Sequence, residues 1–280
     1  MPDLTVLLDN LTFPEGPRWH DGRLWFSDFY AHEVVAVDMD GARETIATVP
    51  GQPSGLGWAP DGTLLIVSMT DRTLMKLADG VVTPVANLSE LAGYHCNDMV
   101  VDGDGRAYVG NFGFNHHAGE AESTANLIRV DPDGSVHLAD SGLAFPNGSV
   151  ITPDGKTLIV GETHGQRLTA WDKGADGALS NRRVWADLAP NFPDGICLDA
   201  KGAIWVADPR TKETIRVTEG GAVTHRISTG DRGSYACMLG GPERRTLFIC
   251  TCAGSGPDIG AQRAGRIEYT TVDVPGAGLP

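Results

Sequence analysis

The chain has 280 residues, 41% hydrophobic and 21% charged, with a formal net charge of -14. That length supports one sizeable core, and so acidic a surface excludes the usual nucleic-acid binder, which needs a basic face to displace counterions from phosphates. The opening Met1 to Asp9 has no basic start followed by an apolar stretch and a small-residue cleavage site, and no later apolar run is long enough to span a bilayer; a cytoplasmic protein without a membrane partner is expected.

A strand-like run, Thr5 to Leu8, precedes the motif Phe13-Pro14-Glu15-Gly16-Pro17. Gly16 to His20 and Arg23 to Asp28 then flank Asp21-Gly22, a dipeptide suited to the positive φ values of a tight hairpin. Glu33 to Asp38 and Arg43 to Val49 complete four short runs, enough for a small antiparallel sheet. The same grammar returns with turns at Asp61-Gly62, Asp104-Gly105, Asp154-Gly155, Lys201-Gly202 and the longer Gly241 to Arg244. A repeat of about forty to fifty residues carrying four strands is the period of propeller blades. The predicted fold is therefore all-β, a six-bladed β-propeller occupying residues 1–280 as a single domain, with four antiparallel strands per blade. The N-terminal run and the strand-like Gly265 to Val272 are expected to meet in the last blade and close the ring, leaving no exposed edge.

The opening motif also returns, as Gln52-Pro53-Ser54-Gly55, His95-Cys96-Asn97-Asp98, Phe145-Pro146-Asn147-Gly148, Phe192-Pro193-Asp194-Gly195 and the degraded Tyr235-Ala236-Cys237. Because each motif enters an innermost strand, Glu15, Ser54, Asn97, Asn147, Asp194 and Ala236 should ring one mouth of the central channel, the mouth that the loops joining second and third strands also reach. Proline and glycine on either side need only fix a bend, but that role does not account for two carboxylates near one axis with no Lys or Arg at an equivalent position. Glu15, Asp194 and the amide oxygen of Asn147 are hard ligands suited to a divalent cation.

Phe13-Pro14-Glu15-Gly16-Pro17 with Trp19, Phe145-Pro146-Asn147-Gly148 and Pro193-Asp194-Gly195 together resemble the regucalcin/gluconolactonase (senescence marker protein-like) family of six-bladed propeller lactonases over essentially the whole chain. The resemblance implies metal ligands at Glu15, Asn147 and Asp194, with Asn97 contacting substrate or a metal-held water. It implies one divalent ion, Ca, Zn, Mn, Mg or Fe(II), and a small-molecule lactone substrate, sugar-derived in the family's usual case. On that footing Asp194 is the expected general base for metal-assisted water attack. A phosphotriester or other strained ester on the same site, and a non-catalytic calcium-binding propeller, are the alternatives.

Two departures bear on substrate. His95 stands where sugar-lactone members carry arginine, and is read as a substrate contact; the long third-repeat loop from Asn111 to Ser123 is read as a lid or specificity wall with Phe112 and Phe114 offering apolar surface to substrate. His116 and His117, adjacent on that loop, are read as solvated. Glu162 and Asp208 end second strands and are read either as supports for the ligands or as solvated. Tryptophans 19, 25, 58 and 205 are expected to pack between blades, and the five cysteines to be buried free thiols.

Overall fold

The computed structural model describes residues 4–278, which fold as six four-stranded antiparallel sheets arranged as propeller blades. The innermost strands are Pro14–His20, Pro53–Trp58, Cys96–Val101, Pro146–Ile151, Ile196–Leu198 and Gly233–Gly240. Five sheets take their strands in chain order; the sixth adds the N-terminal strand Thr5–Leu11 outside Gly265–Thr271. These two strands pair antiparallel from Thr5 opposite Tyr269 to Leu11 opposite Gly265, closing the ring as the sequence predicts.

The Asp-Gly turns are of two kinds. At Asp21-Gly22 and Asp79-Gly80 both residues have positive φ, as a two-residue hairpin demands. At Gly62, Gly105 and Gly155 the glycine alone has positive φ, and across a wider loop the Ala59 N–H donates to the Thr63 carbonyl while the Ala59 carbonyl accepts from Gly62. A short helix, Pro257–Gln262, lies in the sixth blade between Thr246–Cys252 and Gly265–Thr271, in a stretch whose sequence shows no helical period. Six residues are too few to show one. No helix among the described residues is long and apolar enough to cross a membrane.

Packing between blades is aromatic and aliphatic. Trp19 of the first blade stacks on Phe248 of the sixth at 5.6 Å and 12°, and Trp25 meets Trp58 of the second blade edge-on at 5.4 Å. All five cysteines are buried free thiols. Nearest the axis the strands approach so closely that a Cβ on Gly55 would lie 2.4 Å from the Met99 nitrogen, and one on Gly148 would lie 2.4 Å from the Ile196 nitrogen. The motif glycines thus make room for the neighbouring backbone as well as shaping the bend.

The second strand of a blade ends beside the segment that enters its first strand, and a carboxylate there clamps that segment in three blades. Asp28, fully buried, accepts the Phe13 N–H at 2.7 Å and the Thr12 N–H at 3.0 Å. Glu162, fully buried, accepts the Ala144 N–H at 2.7 Å and is paired with Arg167 at 2.9 Å. Asp208, fully buried, accepts the N–H groups of Phe192 at 3.0 Å, Arg210 at 2.9 Å and Thr211 at 3.1 Å, and the Asn191 amide at 2.8 Å. Glu162 and Asp208 are therefore not solvated groups; they hold loop backbone, and only through it the channel mouth. Asp208→Ala strands these donors, and at about 1–3 kcal/mol for each buried donor left unpaired the variant is expected to lose several kcal/mol in urea denaturation. A loss below about 1 kcal/mol would show that water replaces the carboxylate.

Candidate metal centre at the channel mouth

At five of the six ring positions the pairing of first and second strands slips. The register breaks between Glu15 and Arg18, Pro53 and Leu56, Cys96 and Met99, Pro146 and Ser149, and Ser234 and Ala236. Such bulges turn a side chain out of the regular alternation. In the fifth blade the pairing begins only at Ile196, so Asp194 precedes the strand. Asp194 is fixed instead by its own N–H to the Ala207 carbonyl at 2.9 Å, and its carbonyl accepts from Gly148 at 3.2 Å.

Side-chain hydrogen bonds link four of the six ring residues. The Ser54 hydroxyl donates to Asn97 Oδ1 at 3.1 Å, and Asn97 Nδ2 donates to Asn147 Oδ1 at 2.9 Å. Asn147 Nδ2 donates to Thr163 Oγ1 at 3.2 Å and also bonds Asp194, while the Thr163 hydroxyl donates to the Pro193 carbonyl at 2.7 Å. Glu15 stands outside this chain and accepts the Gly16 N–H at 3.0 Å.

The carboxylates are under strain from one another. Burial, then the charges of Asp194 and Asp98, push the Glu15 carboxyl well above its ordinary range. Burial and then Asp98 do the same to Asp194, against the hydrogen bond from Asn147. Asp98, raised by its own burial, is a third acidic group that motif comparison did not single out: it takes the position occupied by glycine in four of the other repeats.

A cation also lies closer than expected. Arg18, three residues past Glu15, is 5% exposed and donates to the carbonyls of Leu56 at 3.1 Å, Pro17 at 2.8 Å and Met99 at 2.6 Å. Its charge favours the ionised forms of Asp98 and Glu15. The reading of an uncompensated carboxylate pair is corrected to this extent. Three carboxylates still outnumber one guanidinium, so the ring as an ionised set remains anionic. Among the described residues no three His, Cys, Asp or Glu side chains cluster as a metal site, because the ring's other donors are amides. Two carboxylates and an amide oxygen nonetheless form a hard donor set that fits a divalent cation with water completing its shell.

This ring floors a cavity of about 590 Å³ that Glu15, Asn97, Asn147 and Asp194 all line. His95 lines it too, stacked on Tyr94 at 3.9 Å, with burial, Arg72 and His117 lowering its pKa. Phe114 is 6% exposed and does not line the cavity; it packs against Phe145 and His164, and Phe112 faces the cavity from the same loop. His117 is exposed at the rim, and the His116 side chain lies outside the described residues. Residues that motif comparison did not reach include Tyr30, Thr163, His164, Arg210 and Ser255. They come from different loops, and only position relative to the ring could have marked them.

Fold and mouth together define a six-bladed propeller with an acidic, amide-bearing ring at one end of its channel. The sequence pattern described as the SMP-30/Gluconolactonase/LRE-like region matches residues 13–253, and the chain belongs to that family. It is 26% identical to pentonolactonase XacC of Haloferax volcanii over 270 residues, covering 94% of this chain and 88% of that protein. It is 25% identical to Xenopus laevis regucalcin over 262 residues, covering 90% and 88%. The structure of a calcium-binding regucalcin from Agrobacterium tumefaciens superposes with a TM-score of 0.83 at 24% identity, covering 100% of this chain and 97% of that one.

The raised carboxyls have a thermodynamic consequence. Folded protein without a metal binds these protons more tightly than unfolded chain, so the stability they contribute is present at low pH and is lost as pH rises above the ordinary carboxylate range through the folded values. A divalent cation held by these carboxylates would remove that loss. Tm of chelated protein is expected to fall between about pH 5 and 8, and the Tm gain from added cation to grow over the same window. A gain that is equal at both ends would contradict this electrostatic account.

Proposed function

We propose that the protein is a metal-dependent lactonase: one divalent cation is held by Glu15, Asn147 and Asp194, and the cavity above it binds a cyclic ester that water opens. The observation that carries the reading is the juxtaposition of two carboxyls of raised pKa with an amide chain on the floor of one cavity. The similarity to a pentonolactonase supports the same reaction class.

When bound, the cation supplies polarisation of the ester carbonyl and acidification of water. Asp194 accepts the proton of the attacking water; it is half-buried and faces the cavity, whereas Glu15 lies deeper and beside Arg18. Asn97 gives one amide hydrogen to Asn147, leaving the other to donate to the ring or carbonyl oxygen of the ester. Ser54, donating to Asn97 Oδ1, fixes which edge of that amide faces the substrate.

Asp194→Asn, assayed at cation concentrations that saturate it, is expected to lower kcat by about 10²–10⁴-fold, the usual contribution of a general base. Ser54→Ala is expected to cost far less. Equal and mild losses would remove the base assignment. A panel of γ- and δ-lactones that stays silent with cation demonstrably bound would favour phosphotriesters instead.

A further inference from the structure

The carboxylates that line the cavity, among the described residues, are those of its floor, Glu15 and Asp194. Its walls carry basic side chains instead: His95, His117, His164 and Arg210. Only Arg210 among these is charged at every working pH. Such a division is unexpected in a chain where 36 Asp and Glu outnumber 22 Lys and Arg. Glu122 pairs with His164 at 3.2 Å, but from an exposed position outside the lining.

Arg210 stands in the loop after Ile204–Asp208, the second strand of the fifth blade, and Arg72 in the corresponding loop of the second blade, after Leu64–Ser68. Blades two and five are opposite in a ring of six, so one arginine stands on either side of the mouth. Among the described residues neither guanidinium is paired with a carboxylate: Arg72 donates to the Ala92 carbonyl at 3.3 Å, and Arg210 lies over the Phe192 ring at 4.0 Å. The Arg210 backbone is held by Asp208, which accepts its N–H at 2.9 Å. Both charges are felt in the cavity. Burial and then Arg72 lower the pKa of His95; burial and, after it, Arg210 lower that of His164 against the pull of Glu122.

Resting on the lactonase reading above, we infer that the preferred substrate is a lactone carrying a carboxylate, its ester at the Glu15, Asn97, Asn147 and Asp194 floor and its anion on Arg210. The planar guanidinium offers two parallel N–H groups to the two oxygens of a carboxylate. Once a divalent cation balances Glu15 and Asp194, and with Arg18 offsetting Asp98, the wall arginine decides which sign of charge the cavity favours. The net charge of -14 repels an anion at long range, so recognition falls to the contact with Arg210. Gln52, Thr70 and Asn115 also line the walls and can bond hydroxyls, but neutral donors and acceptors do not tell an anion from its amide. Arg210 is the specificity-determining residue in this arrangement.

The test is kcat/KM of the cation-loaded enzyme on γ-butyrolactone-γ-carboxylate, on its primary amide, which matches it in shape without the charge, and on unsubstituted γ-butyrolactone. Each value is divided by that lactone's rate with hydroxide to remove intrinsic reactivity. The carboxylate is expected to exceed the amide by about fivefold or more, between the worth of an exposed ion pair and that of a hydrogen bond to a charged group. Arg210→Gln is expected to reduce that ratio several-fold, and Arg210→Lys, which keeps the charge without the fork, to retain part of it. Because the ratio is taken within one protein, any loss of folded fraction cancels. Equal or better turnover of the amide overturns the inference and leaves the lactonase reading standing. So does a carboxylate preference that Arg210→Gln leaves intact. Turnover of none of the three overturns both.

Discussion

Six strands converging on one axis is the constraint from which the rest of the structure follows. Backbone packed this tightly admits side chains at only a few places, and the motif glycines vacate the others. What remains at the mouth is a ring of short polar groups that cannot separate: Glu15 and Asp194 feel each other and Asp98 because the ring that carries them is closed. Closure itself depends on the pairing of Thr5–Leu11 with Gly265–Thr271, so the two ends of the chain hold together the geometry that makes the mouth acidic.

Rigidity at the mouth has two sources. The bulges in the innermost strands turn the ring residues out of the regular alternation. The buried carboxylates Asp28, Glu162 and Asp208 hold the loops leading into those strands. On the proposed function, a cation would find its donors already gathered and would relieve the mutual repulsion of Glu15 and Asp194. Arg18 tempers that repulsion from below without cancelling it, its guanidinium held by carbonyls of the first, second and third blades.

The architecture was legible because it is written six times. Pro-x-Gly and Asp-Gly recur with a fixed order, and the closing strand at each end lacks a partner within its own repeat. The ring residues followed from the same repetition, and the structure brings Glu15, Asn97, Asn147 and Asp194 to one cavity floor. What repetition could not reveal was anything that occurs once. Asp98 and Arg18 break the pattern of their neighbours, and their meaning lies in the distance to groups in other blades. The fully buried state of Asp208 depends on a loop backbone whose course no periodicity encodes. Phe112 and Phe114 stand two residues apart on an irregular loop, where alternation gives no guide to which one faces the cavity; the structure turns Phe112 toward it and Phe114 into packing. The helix Pro257–Gln262, which brings Gly256 N–H to the Tyr30 hydroxyl at 3.0 Å, is another singular feature of the mouth.

Family membership fixes the scaffold and leaves the walls to the individual chain. The central claim is that the acidic ring is a cation site, and crystals soaked in Mn²⁺ and measured for anomalous scattering would test it most directly. The account predicts one strong peak at the channel mouth, in contact with Glu15, Asn147 and Asp194, and its loss in Glu15→Gln. A mouth without a peak, with the carboxyls of Glu15 and Asp194 protonated in its place, would contradict it.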